Sequence, residues 1–331
     1  MNMPHLPKSV SDHIVKANPE LWGLRKPPIQ WHELGTKQNY LIAGSSFIDP
    51  DDPAGSLGNP FVVVVGPSTG ELADRKQVAQ QTNTPETVFI NSCQAVNEGS
   101  ELSLTVLTPS GQEMGACAHG FIGAVQTLIS LGQLPLGRNF TIHTTIATTA
   151  QGSVSPDGQI TLSFTPQPPR STDVPLSRLV GIYGSKLGEA RILGILSVGS
   201  PKLTIELTPA AFSAVQQNLN RLNFQELLAL QAEFDINGIH LFCRDPHTHF
   251  PARCIQNNAY SGPDNFADRA TGVSNAAQIA ADSQVPLGQT LSVTQYVATG
   301  PSAILNLTKA ATDRIDVGGA AALFGYREVL H

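Results

Sequence analysis

The hydrophobic pattern divides the chain into strand-length segments interrupted by a few helices, two of which are built from small and apolar residues. From Tyr40 the pattern is regular. Residues 40–47 predict a strand, and residues 61–65 are five apolar residues in a row, which predicts a strand buried on both faces. A helix over 71–81 and strands over 87–91 and 102–107 follow. Residues 113–131 open with small residues and a His, carry Gly115, Gly120 and Gly123, and continue through Phe121, Ile122, Val125, Leu128, Ile129 and Leu131. A helix apolar on most sides belongs inside the fold. Residues 139–149 alternate, with Phe140, Ile142 and Thr144 on one parity, as in a strand with one buried face.

The chain then begins again. Strands are predicted over 158–164, 180–183, 190–198 and 202–207, helices over 209–219 and 224–232, and a hairpin from 238–243 and 252–255. A second small-residue helix spans 270–282, with Ala276, Ala277, Ile279 and Ala280 on its packing side. Strands over 291–297, 303–307 and 320–326 close the chain. Each half therefore holds an acidic residue, a Gly-containing turn and a buried helix, which predicts a pseudo-duplicated α+β protein. The expected architecture is two β-rich lobes, each wrapped around a central helix, with the helix N-termini facing a shared active-site cleft. The expected domains are an extension over 1–39 anchored by Trp22 and Trp31, a first lobe over 40–150 completed by residues 318–331, and a second lobe over 151–317.

Composition narrows the partner. A net charge of −6, no basic cluster and 14% charged residues exclude an electrostatic footprint for nucleic acid or an anionic membrane surface. No apolar run approaches the roughly 18 residues needed to span a bilayer, and residues 1–16 lack an apolar signal region, so a cytoplasmic protein acting on a small molecule is expected. The four cysteines, Cys93, Cys117, Cys243 and Cys254, are scattered as reduced thiols are.

Candidate chemistry gathers at the two helix starts. Unpaired backbone N–H groups there receive carboxylates and other anions. Glu86 precedes an apolar strand, where burial raises a carboxyl toward the working pH of a general base. His119 lies in a helix first turn, where the dipole disfavours the cation and leaves a neutral imidazole. Asp268 reads as the N-cap of the second helix as well as a candidate acid. Cys243, His247, His249 and Cys254 share a short segment, but their spacing matches no known zinc pattern and a polar hairpin tip explains it. Phosphate-loop, dinucleotide and nucleophile-elbow motifs are absent.

In order along the chain, GNPFVVVV (58–65), VAQQTNTPETVFI (78–90), LTPSGQEMGACAHGFIGA (107–124), GIHLF (238–242) and ADRATGVSNAA (267–277) resemble the phenazine-biosynthesis (PhzF-like) isomerase/epimerase family. The resemblance implies a diaminopimelate-epimerase-like fold, a homodimer, a role in biosynthesis of secondary metabolites, and proton transfer without metal or organic cofactor. It implies that Glu86 moves a proton on a small carboxylated metabolite, with His119 and Asp268 assisting. The turns holding Cys117, Ala118, Gly120, Thr271, Gly272, Val273 and Ser274 would bind substrate. Departures are specific: Ala118 stands for a Gly, Ala267 for a Glu, Val273 for a Ser whose hydroxyl is displaced to Ser274, and Thr105 for an Arg. Two alternatives stay open. Related folds use thiols that open helices, where the dipole lowers the thiol pKa, so Cys117-dependent epimerisation or dehydration is one. A small-molecule-binding homologue that has lost the chemistry is the other.

Overall fold

The computed structural model describes residues 39–48, 58–66, 71–82, 84–97, 99–146, 149–184, 187–261 and 267–329. The N-terminal extension with Trp22 and Trp31, the turn at 49–57 and much of the loop before Ala267 lie outside them. The chain forms two compact units, one of residues up to Leu162 together with those from Gly318, the other Ser163–Val317. Each is a β-rich lobe built on a central helix.

In the first unit the strands are β1 (Asn39–Ser46), β2 (Asn59–Val65), β3 (Glu86–Val96), β4 (Gly99–Leu107), β5 (Arg138–Thr144), β6 (Thr149–Val154), β7 (Ile160–Phe164) and the C-terminal β16 (Ala321–Val329), in the order β16-β1-β2-β3-β4-β5-β6-β7. Pairing runs antiparallel from β1 to β2, parallel to β3, antiparallel to β4, parallel to β5 and antiparallel to β6. Each parallel step requires a crossover. Helix α1 (Leu72–Thr82) joins β2 to β3, and α2 (Ala118–Ser130) joins β4 to β5. Parity along β2 shows why its apolar run is unbroken. Val62 and Val64 meet Val78 and Ala79 of α1, whereas a Cβ on Gly123 of α2 would lie 2.7 Å from the Phe61 ring. Helices thus cover opposite faces, and no position in the run 61–65 is free to be polar.

The second unit contains β8 (Arg191–Leu196), β9 (Lys202–Glu206), β10 (Ile239–Arg244), β11 (Pro251–Asn257), the short β12 (Ala267–Asp268), β13 (Thr290–Val297), β14 (Gly300–Ala311) and β15 (Arg314–Gly319). Their order is β15-β14-β13-β11-β10-β9-β8, with β12 beside β11. From β8 the pairing again runs antiparallel, parallel, antiparallel, parallel, antiparallel. The internal repeat expected from two acid-turn-helix segments is thus present in the strand pairing. Helices α3 (Leu176–Tyr183), α4 (Pro209–Asn218) and α5 (Phe224–Phe234) cover one sheet face through Leu179, Ile182, Phe212, Val215, Leu227 and Leu230. The other face receives α6 (Gly272–Ala281), whose Asn275 donates to Cys254 Sγ of β11 at 3.3 Å.

Two local expectations fail and one strand went unpredicted, each for an identifiable reason. Residues 180–183 are the end of α3 rather than a strand. Its buried Leu179, Ile182 and Tyr183 are spaced by a helical turn, which a four-residue window cannot display, and the helix closes on Gly184 at φ 61°. The single strand expected over 139–149 turns after Thr144, and β6 begins at Thr149. Strand β15 escapes notice because its sequence, RIDVGG, carries two glycines.

Candidate functional site

Strand register assembles the first-unit site. Ser46 ends β1 opposite Asn59, which opens β2, and Phe61 pairs with Glu86, which opens β3. Asn59 and Glu86 share the parity of Phe61, whose ring faces α2, so both project over the first turn of that helix. Cys117 is the helix N-cap, with extended backbone and no side-chain capping bond. His119, two residues on, enters the space between the strand ends. Ser46 Oγ donates to the His119 carbonyl at 2.7 Å and fixes the backbone there.

His119 Nε2 lies 2.8 Å from Glu86 Oε2, and Asn59 Nδ2 lies 3.0 Å from Nδ1. Cys117 Sγ is 3.6 Å from Nδ1 and 3.8 Å from Nε2. Glu86, Cys117, His119 and Asn59 are all buried. Among the described residues no aligned hydrogen bond reaches Glu86 Oε2, which stands in ion-pair contact with the ring. Burial pushes the His119 imidazole down, but the Cys117 sulfur and the Glu86 carboxylate outweigh it and hold the ring well above the usual histidine range. Burial, and then the Glu86 carboxylate, push the Cys117 thiol up. The Glu86 carboxylate thus favours the imidazolium and disfavours the thiolate.

Two expectations are corrected by this geometry. The imidazole is not kept neutral by the helix dipole, because a partial charge of about half a unit is outweighed by a full carboxylate in contact. Nor is the Cys117 thiol lowered by its helix start, because burial and the adjacent carboxylate act the other way. Ala118 is the first helical residue and is buried. Gly120 is required by contact: a Cβ there would lie 2.9 Å from both Cys117 Sγ and Val88 Cγ2.

The second-unit candidates form their own cluster. Thr271, not Asp268, is the N-cap of α6. Asp268 instead accepts from the Ala270 N–H at 3.1 Å, a local turn three residues before that N-cap. Thr271 donates its backbone N–H to Gln295 Oε1 at 2.7 Å and its hydroxyl to Ser274 Oγ at 2.8 Å. Gly272, Val273 and Ser274 are buried in the first turn. Sequence reasoning did not single out Asn59, Ser46 or Gln295, which hold these turns from neighbouring strands. The only sequence signal was Asn59 in the GNPF motif. At Thr105, where the family pattern has an Arg, Arg75 of α1 supplies a guanidinium and donates to Thr105 Oγ1 at 2.8 Å.

The Cys243 to Cys254 segment forms no ligand set. Cys243 pairs in register with Arg253 and Cys254 with Phe242, so the two thiols point to opposite faces of the sheet, and His247 and His249 lie in the exposed connecting turn. Among the described residues, the set with metal-ligand chemistry is Glu86, Cys117 and His119, whose ligand atoms all lie within 4.8 Å of one another. No helix among those residues is long and apolar enough to cross a membrane.

No protein-family profile and no curated protein sequence matches the chain. Solved structures do. A PhzF-family phenazine biosynthesis protein of Bacillus anthracis is similar at TM-score 0.66 and 20% identity, over 89% of this chain and all of that one. A predicted epimerase of Pseudomonas aeruginosa is similar at TM-score 0.68 and 16% identity, over 90% of this chain and 100% of that one. A hydroxyproline epimerase of Agrobacterium vitis, with bound trans-4-OH-L-proline, is similar at 0.62 and 12%, over 90% and 94%. With two β-rich units that each carry a buried central helix, the chain has the fold of the PhzF-family proteins and the proline-type epimerases.

Proposed function

We propose that this protein is a cofactor-independent isomerase that moves a proton on a small carboxylated metabolite, with Glu86 as the proton carrier. The observation that carries the reading is the buried Glu86–His119 contact at 2.8 Å, placed in the first turn of a central helix. A carboxylate held there takes a proton from a carbon next to the substrate carboxylate, leaving an enolate-type anion. The carboxyl so formed is neutral, and the neighbouring imidazolium is then free to stabilise the anion until the proton returns at a second position. Backbone N–H groups near Cys117 to Gly120 would hold anionic oxygens. Asp268 and the turn Thr271 to Ser274 are proposed as substrate-contacting residues of the second unit, with Asp268 orienting or protonating. The solved relatives support an isomerase or epimerase class through their fold. A homodimer and a reducing compartment belong to the same reading, the latter in keeping with the four free cysteines.

Incubation in D2O with a panel of cyclic and unsaturated carboxylic acids tests this by NMR. Wild-type protein exchanges an α- or allylic proton, and Glu86→Gln folds normally without exchanging it. Absence of exchange with every acid would favour a binding protein that has lost the chemistry. A second reading rests on the Cys117 thiol lying 3.6 Å from the His119 ring, which makes it an alternative acid for epimerisation or dehydration. An unchanged rate in Cys117→Ala removes that reading.

A further inference from the structure

We propose that Glu86, Cys117 and His119 also form a binding site for a zinc-class divalent cation. Thiolate, imidazole and carboxylate together are a zinc donor set. The three ligand atoms already lie within 4.8 Å of one another and are buried. Around a tetrahedral zinc, bond lengths of about 2.0–2.3 Å put nitrogen and sulfur about 3.6 Å apart and nitrogen and oxygen about 3.3 Å apart. Cys117 Sγ stands 3.8 Å from His119 Nε2, close to the first distance, and 3.6 Å from Nδ1, so the thiol has to turn toward the Nε2 edge of the ring to meet a metal there. Glu86 Oε2 stands 2.8 Å from Nε2. The second gap needs to open by about half an ångström, as expected when an imidazolium in contact with a carboxylate gives its proton up for a metal bond.

The support around the ligands fits the same reading. With Nε2 on the metal, Nδ1 carries the proton and needs an acceptor. Asn59 lies 3.0 Å from Nδ1, and its carboxamide meets that need with its oxygen turned to the ring. Ser46 holds the His119 carbonyl, and Cys117 and His119 are fixed two residues apart on the start of a buried helix. Three protein ligands leave the fourth position for water or an anionic oxygen. Binding at neutral pH releases two protons, one from the Cys117 thiol and one from the His119 imidazolium. The metal and proton transfer through Glu86 exclude each other, but binding does not depend on whether the protein is an isomerase.

Titration of the full-length protein with Zn2+ and Co2+ tests this without an activity assay. Uptake should be followed over hours because the ligands are buried. The expected result is one metal per chain, two protons released per zinc, and a cobalt spectrum with tetrahedral d–d bands and a thiolate-to-cobalt charge-transfer band. Cys117→Ser should abolish the charge-transfer band and weaken zinc binding by more than about 100-fold, since loss of outer-sphere partners alone costs about 10–100-fold. His119→Gln should also lose stoichiometric binding. A wild-type cobalt complex without the thiolate band, or a band that survives in Cys117→Ser, would overturn the assignment. The first of those outcomes requires no variant to fold.

Discussion

Replacing Glu86 by Gln removes one charge, nearly without change of shape, from a buried contact. At 2.8 Å the gross attraction of the pair is about 6 kcal/mol at an effective dielectric of about 20. Burial of the two ions opposes it by several kcal/mol each. In the variant the carboxylate charge is gone while burial remains, so the His119 pKa should fall. Stability carries the same signature. The wild-type ring keeps its proton when folded over a pH range where the unfolded chain has lost it, so the native state binds more protons there. Its stabilising contribution is complete below about pH 6.5, the unfolded value, and is lost as pH rises through the folded value. The difference in unfolding free energy between wild type and Glu86→Gln should therefore shrink by up to about 1.4 kcal/mol per pH unit across that window. Urea unfolding from pH 6 to pH 9 measures it. NMR of the imidazole ring gives the titration directly, and because the chain has nine histidines the resonance is assigned by its loss in His119→Gln. An identical His119 titration in wild type and Glu86→Gln would refute the reasoning.

Other outcomes follow from single contacts. Gly123→Ala should lower stability by about 1–3 kcal/mol through overpacking against Phe61, measured by calorimetry, with partial recovery in Gly123→Ala/Phe61→Leu. Half-buried Cys93 should react first with a thiol reagent, whereas Cys254, pushed up to about 12 by burial, and Cys117 should react only as the protein unfolds. Mass spectrometry of timed labelling resolves the order. Asp268→Asn keeps an oxygen to accept from the Ala270 N–H, so its thermal unfolding should match wild type while proton exchange on substrate falls. Equal exchange rates would remove Asp268 from the mechanism.

The sequence by itself determined the elements whose burial leaves a periodic trace. An unbroken apolar strand between two helices, an apolar helix with glycines at close contacts and a repeated acid-turn-helix order were sufficient to predict two β-rich units, each built on a buried helix. Motif order pointed to the correct fold at identities that stand at only 12–20% in the solved relatives. Register and charge environment were not legible, because both depend on residues distant in the chain. Asn59 and Ser46 reach His119 from positions 60 and 73 residues away, and only strand pairing places their side chains over the helix start. For the same reason the ionisation of His119 and Cys117 was predicted with the wrong sign. Local sequence supplies the helix dipole, but the tertiary structure supplies the burial and the full carboxylate charge that outweigh it.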